Sequence, residues 1–229
     1  MRLDRFLCNQ TELSRQHVCQ LLASERVSVD GRIVTDGRLQ ISQFSHIELD
    51  KQTLRFKQAY YFMLNKPSGY VSATSDSQHQ TVLDLFHEPF KTELHIAGRL
   101  DFNSSGLMLI TNDGRWSRTI TEPRERKSKV YLVETEDDIH SETANVFAKG
   151  LYFKFENITT QPAQLELLAA RKARLTLYEG RYHQVKRMFG YFNNKVLSLH
   201  RESMGNIQLD AALQPGEYRA LTPQEITGF

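Results

Sequence analysis

The chain has 229 residues, 40% of them hydrophobic and 24% charged, with a net charge of +2. These values fit a soluble globular protein of one large domain, or a large domain with a small companion. No apolar run approaches the ~18 residues that span a bilayer, and the opening "MRLDRFLCNQTELSR" is too charged and polar for a secretory signal. Cys8 and Cys19 fit no ligand spacing and read as reduced thiols in a cytosol.

The first elements form a small helical module with hairpins. "RLDRFLCNQ" puts Leu3, Phe6 and Leu7 on one helical face. "LSRQHVCQLLAS" supplies Ser14 as an N-cap and groups Val18, Leu21 and Leu22. In "RVSVDGRIV" the pair Asp30-Gly31 divides two apolar runs, a hairpin signal because both turn positions take positive φ. "HIELD" and "TLRFK" predict two more short strands, and the polar stretch that follows sets a domain boundary near Gln58.

From residue 59 onward strands and helices mix. "YYFMLNKP" is a buried strand stopped by Pro67, "TVLDLFHEP" a short helix, and "GLMLITND" an apolar strand. "GRWSRTITEP" is a helix ended by Pro123, and "KVYLVETE" alternates as a half-buried strand does. "SETANVFAKG" is a helix that stops at Gly150. "AQLELLAA" and "ARLTLYEG" pair as strands, and "RYHQVKRMFGYF" is a basic amphipathic helix with Val185, Met188 and Phe189 on one face. "KVLSLHR", "NIQLD" and "EYRAL" complete the strands before a helical turn at Thr222-Pro223. Many strands without regular βαβ phasing predict an α+β fold with a mostly antiparallel sheet.

Two basic blocks stand out in a nearly neutral chain. One holds Arg115, Arg118, Arg124, Arg126, Lys127 and Lys129; the other holds Arg171, Lys172, Arg174, Arg181, Lys186 and Arg187. They read either as one positive face or as two solvated edges. The chain has no P-loop, no G-x-G-x-x-G, no Cys-x-x-Cys, no His-x-x-x-His and no G-x-S-x-G. It therefore implies no cofactor and no metal. What is left is a lone Asp101 in "HIAGRLDFNSSGLMLI", near Arg99 and bracketed by Gly98 and Gly106. A carboxylate there allows nucleophile or base chemistry on an anionic substrate.

"HIAGRLDFNSSGLMLITNDG" resembles the G-R-L-D signature of the RsuA-type pseudouridine synthases. "YYFMLNKPSGYVSAT", "KVYLV", "LTLYEGRYHQVKRMF" and "LQPGEYRALT" resemble the other family segments, in the family's order, behind an S4-like RNA-binding module in residues 1–58. The rest of the chain, residues 59–229, is then the synthase domain. The likeness is strongest to members acting on one uridine of small-subunit 16S rRNA, uridine 516. Alternatives are the same reaction on 23S rRNA, or an rRNA-binding assembly factor without catalysis.

The resemblance implies that Asp101 is the reacting carboxylate. It either adds to the base or the sugar carbon, or removes a sugar proton so that a glycal forms. It further implies that Lys186 pairs with Asp101, that Tyr131 stacks on the base and handles the C5 proton, that Leu177 covers the other side of the base, and that Arg99 holds the base out of the RNA stack. His183 is expected to support packing. Arg2, Arg5, Arg15, Arg26 and Arg32 are candidate phosphate contacts of the S4-like module. The implied partner is 16S rRNA in a partly assembled small-subunit particle. The protein is expected to be a cytoplasmic monomer with no membrane association. Without the resemblance, Asp101 reads as a turn residue, Tyr131 as a packed ring and Lys186 as a solvated side chain.

Overall fold

The structure is a computed structural model that describes residues 1–122 and 127–228. Its chain divides into two compact units, Met1–Ala59 and Tyr60–Phe229. Pro123, Arg124 and Arg126, which entered the helix-end and basic-block readings, lie outside the described residues.

In the first unit, α1 (Leu3–Thr11) and α2 (Arg15–Ala23) pack beside an antiparallel sheet. The sheet comprises β1 (Val27–Val29), β2 (Arg32–Ile33), β3 (Ile47–Leu49) and β4 (Gln52–Arg55), in the order β2-β1-β3-β4. Ser14 caps α2 by accepting from the His17 amide. Asp30 and Gly31 take φ values of 51° and 77°, as the hairpin between β1 and β2 requires. Leu3, Leu7, Val18, Leu22, Val27 and Ile47 form its buried centre.

The second unit is built on β5 (Tyr61–Lys66), β6 (His95–Ala97), β7 (Ser105–Thr111), α3 (Gly114–Thr121), β8 (Lys129–Thr135) and α4 (Thr143–Lys149). The chain continues through the hairpin β9 (Tyr152–Phe153) and β10 (Ile158–Thr159), then β11 (Gln164–Ala169), β12 (Lys172–Leu177) and α5 (Gln184–Gly190). It ends with β13 (Val196–Met204), β14 (Ile207–Gln208), β15 (Tyr218–Ala220) and α6 (Pro223–Thr227). The main sheet runs β11-β12-β8-β13-β7-β5-β15, with β14 on β13 and β6 on β7. The β13–β7 pair is parallel and the other pairs are antiparallel.

Apolar cores lie on both faces of the central strands. Leu64, Met108 and Ile110 join one core with α4 and α5, while Met63, Leu107 and Leu109 join the other with Ile120 of α3. That two-sided burial explains why β5 and β7 read as continuous apolar runs whereas β8 alternates. The segment at Val82–Leu85 is one 3-10 turn rather than an α-helix; Thr81 and Asp84 cap it reciprocally.

The second basic block is not a free positive face. Arg171 meets Asp138, Lys172 meets Glu134, Arg174 meets Glu166 and Glu202, and Arg187 meets Glu156. Glu166 faces Arg174 across the β11–β12 hairpin, while the other acids are far away in sequence and the fold brings them alongside.

Candidate active site

Asp101 sits in the loop that joins β6 to β7. Hydrogen bonds from several directions fix this loop. The Ser72 hydroxyl donates to the Leu100 carbonyl at 2.5 Å and accepts from the Leu100 amide at 3.1 Å. The Ser104 amide donates to the Asp101 carbonyl at 3.0 Å, and the Gly69 amide to that of Phe102 at 2.9 Å.

Two buried cations hold the same loop, and sequence reasoning did not single out either. Lys66, 0% exposed, donates from Nζ to the carbonyls of Pro67 (2.9 Å), Phe102 (3.3 Å) and Ser104 (2.7 Å). Arg201, 1% exposed, donates to Leu107 (2.7 Å), Arg99 (3.3 Å) and Gly98 (3.3 Å) carbonyls. Burial pushes the Lys66 ammonium down to about 8; the charge of Asp101 opposes that shift and Arg201 adds to it. Gly106 has φ +101°, and a Cβ there would stand 2.4 Å from the Arg201 carbonyl oxygen. Its freedom therefore serves the close pairing of β7 with β13 rather than an approach to substrate.

The Asp101 carboxylate lines a cleft of about 430 Å³, a volume suited to a small ligand or a single nucleotide. Tyr131, Leu177, Arg99, Lys129, His183 and Lys186 line it too. Tyr131 on β8 and Leu175 on β12 are register partners, as are Lys129 and Leu177, so Tyr131 and Leu177 come from adjacent strands. Tyr131 and Leu177 are buried, Arg99 is exposed, and Lys129 is half-buried.

Lys186 of α5 brings Nζ to 3.7 Å from Asp101 Oδ2. His183 brings Nε2 to 3.5 Å from the same oxygen, with its ring stacked on Tyr182 at 3.9 Å. The imidazole therefore faces the carboxylate, a position that a pure packing role does not describe. It is aimed there by an αL backbone, φ 49°, just before α5. A buried network steadies this turn: Gln184 Nε2 donates to Glu179 Oε1 (2.8 Å), and the Arg181 amide donates to Gln184 Oε1 (3.0 Å).

All five candidate phosphate contacts in the first unit are exposed, but they are not equally available. Arg2 pairs with Asp4 and Arg26 with Asp50, which leaves Arg5, Arg15 and Arg32 without an ion pair among the described residues. No group of three His, Cys, Asp or Glu among the described residues is arranged to hold a metal. No helix among them is long and apolar enough to cross a membrane.

Residues 60–191 match the family model of RNA pseudouridylate synthases. The chain is 57% identical over 227 residues to the ribosomal small subunit pseudouridine synthase A of Pseudomonas aeruginosa, covering 99% of each chain. It is 47% identical to the protein of that name from Escherichia coli K12, covering 99% of this chain and 98% of the relative. Among solved structures, a pseudouridylate synthase superposes with a TM-score of 0.72 at 41% identity, covering 99% of this chain and 98% of its own.

Proposed function

The chain belongs to the RNA pseudouridylate synthase family, and on that premise we propose that it isomerises one uridine of small-subunit 16S rRNA, uridine 516, with Asp101 as the reacting carboxylate. The observation that carries the assignment of Asp101 is its place in one cleft with Tyr131 and Leu177, its Oδ2 facing the Lys186 ammonium at 3.7 Å. The small-subunit target rests on the names of the full-length relatives.

A carboxylate in a partly desolvated cleft reacts as an anion only where cations offset the cost of burial. Lys186 faces the Asp101 carboxylate directly, and the charge of Lys66 interacts with it as well. Uridine enters flipped out of its RNA, so that Tyr131 and Leu177 enclose the base while Arg99 holds the strand open. Asp101 then either bonds to the base or the sugar carbon or takes a sugar proton, and Tyr131 handles the C5 proton. The first unit is an S4-like grip: Arg5, Arg15 and Arg32, with Arg2 and Arg26, lie against phosphate and position the RNA without reading its sequence. The protein works as a cytoplasmic monomer on a partly assembled particle.

The test is tritium release from 16S rRNA labelled at uracil C5 and partly assembled with ribosomal proteins. Wild type is expected to release tritium and Asp101→Asn to release none while still binding RNA. Release by Asp101→Asn at the wild-type rate would remove Asp101 from the chemistry. Release from 23S rRNA alone would move the target to the large subunit.

A further inference from the structure

Among the described residues five cationic side chains line the cleft, and four are already engaged or exposed. Lys186 faces Asp101, and Arg181 Nε donates to Glu179 Oε2 at 2.9 Å. Arg201 is taken up by three backbone carbonyls, and Arg99 is exposed. Lys129 is the fifth. It is half-buried, and among the described residues its ammonium meets no carboxylate within ion-pair distance. Its hydrogen bond goes to the Lys127 carbonyl at 3.3 Å. Burial and the like charge of Arg201 push the ammonium down, with Glu179 opposing.

Its placement is specific. Lys129 lies two residues before Tyr131 on β8, so both side chains stand on one face of the sheet. Its register partners are Leu177 on β12 and Met204 on β13, and both also line the cleft. Directly opposed strand residues have Cβ atoms about 5 Å apart. A base held between Tyr131 and Leu177 therefore has the Lys129 ammonium at its edge.

We propose that Lys129 is a further catalytic residue, which neutralises the uracil anion by donating a hydrogen bond to one of its carbonyl oxygens. The inference rests on the reaction assigned above. When the C1′–N1 bond breaks, its electron pair leaves with the base and is shared among N1, O2 and O4. On the two routes through the sugar, for which the inference is made, the sugar carbon is either captured by the Asp101 carboxylate or loses a C2′ proton to it. After the base rotates, C5 bonds to C1′ and the link to Asp101, or its proton, is returned. The C5 proton departs and N1 takes up a proton, so product and substrate have the same atoms. The anion exists only between cleavage and rejoining. A desolvated cation aimed at it stabilises that stretch of the path more than the neutral bound uridine.

The test compares Lys129→Met, Lys129→Gln and Lys129→Arg on two RNAs in single turnover: the natural uridine substrate and one carrying 5-fluorouridine at the target. Fluorine stabilises the uracil anion and makes it a better leaving group, so cleavage depends less on an external cation. Consumption of target nucleoside is read by nuclease digestion and chromatography, and RNA affinity by filter binding. Lys129→Met is expected to lose about 10²–10³-fold in rate on uridine RNA at unchanged affinity, the range for removing one donor to a developing oxyanion. The loss should shrink on 5-fluorouridine RNA, and Lys129→Arg should recover part of it. Lys129→Gln keeps a neutral donor of similar length and guards against a folding loss in the Met variant. Equal losses on the two RNAs, or a loss confined to affinity, would overturn the proposal. Wild-type turnover of uridine RNA in the same assay tests the reaction itself, so the two readings fail separately.

Discussion

Lys66 and Arg201 clasp the Asp101 loop from its two ends, Lys66 through the carbonyls of Phe102 and Ser104 and Arg201 through those of Gly98 and Arg99. Each is fully buried and has backbone oxygens as its hydrogen-bond partners. The charges of Lys66 and Asp101 also interact across the loop. The clasp therefore supplies both the shape of the loop and positive potential beneath its carboxylate.

Arg201→Met is expected to destabilise the protein by about 2–4 kcal/mol, because the buried Leu107 carbonyl and the partly buried carbonyls of Gly98 and Arg99 lose their charged donor at once. It should also lower kcat about 10²-fold through misplacement of Asp101. Arg201→Lys should recover little of either, since a single ammonium lacks the fork that reaches Leu107 on one side and Gly98 with Arg99 on the other. Urea unfolding and tritium release on the same preparations measure the two effects. A fully active Arg201→Met would show that the loop holds its shape without the clasp.

Lys66 gives the stability a pH signature. Its ammonium is held down to about 8, against an ordinary value of 10.5. Between those values the unfolded chain binds the proton and the folded one does not, so stability rises with pH across that window. Below about 8 both states are charged and the slope vanishes. Lys66→Met removes the titrating group. The difference in urea midpoint between wild type and this variant should therefore change in favour of wild type from about pH 8 to about pH 10. A constant difference would mean that Lys66 titrates normally despite its burial.

The clasp also marks what the sequence left unread. Periodicity found α1, α2 and the main strands, because burial on one or both faces writes itself into local spacing, and turn chemistry found the hairpin at Asp30-Gly31. Asp101, Tyr131, Lys186 and Leu177 were singled out through motifs, each of them local. Lys66 and Arg201 ended apolar runs, in "YYFMLNKP" and "KVLSLHR", and a cation at a strand end is usually solvated. Their burial depends on strands brought together from across the chain. The sign that could have flagged Lys66 is a cation one residue beyond a run with no polar alternation, with only Asn65 between. The ion pairs of the second basic block were hidden for the same reason, as were the two-residue strands β9 and β10, too short for any period.

Gly106→Ala and Gly69→Ala separate backbone strain from close approach. Both glycines have positive φ, +101° and +88°, so alanine is strained at either position. That strain is about 1–3 kcal/mol. At Gly69 nothing lies within 4 Å of the added Cβ, whereas at Gly106 it meets the Arg201 carbonyl oxygen at 2.4 Å. Gly106→Ala should therefore cost clearly more than Gly69→Ala in thermal unfolding, and should lose activity as β13 and its Arg201 move. Equal costs would mean that the two strands separate there without penalty.

The C-terminal helix offers an acid-sensitive lock with its own reporter. Glu225 Oε2 accepts from the Thr222 amide at 2.7 Å, and Arg219 forks onto both Glu225 oxygens at 2.9 Å. Arg219, opposed by partial burial, holds the Glu225 carboxyl down to about 2, against an ordinary 4.5. A carboxylate depressed in this way contributes stability that is complete above 4.5 and is lost as pH falls toward 2. Trp116, the single tryptophan, donates its indole N–H to the Ile226 carbonyl of α6 at 3.0 Å. Its fluorescence should therefore shift as α6 releases on acidification, with a midpoint below 4.5. Glu225→Gln should show the released signal at neutral pH while keeping its activity, because α6 contributes no residue to the Asp101 cleft. An unchanged Trp116 signal in that variant would mean that Pro223, Thr222 and apolar packing hold α6 without the ion pair.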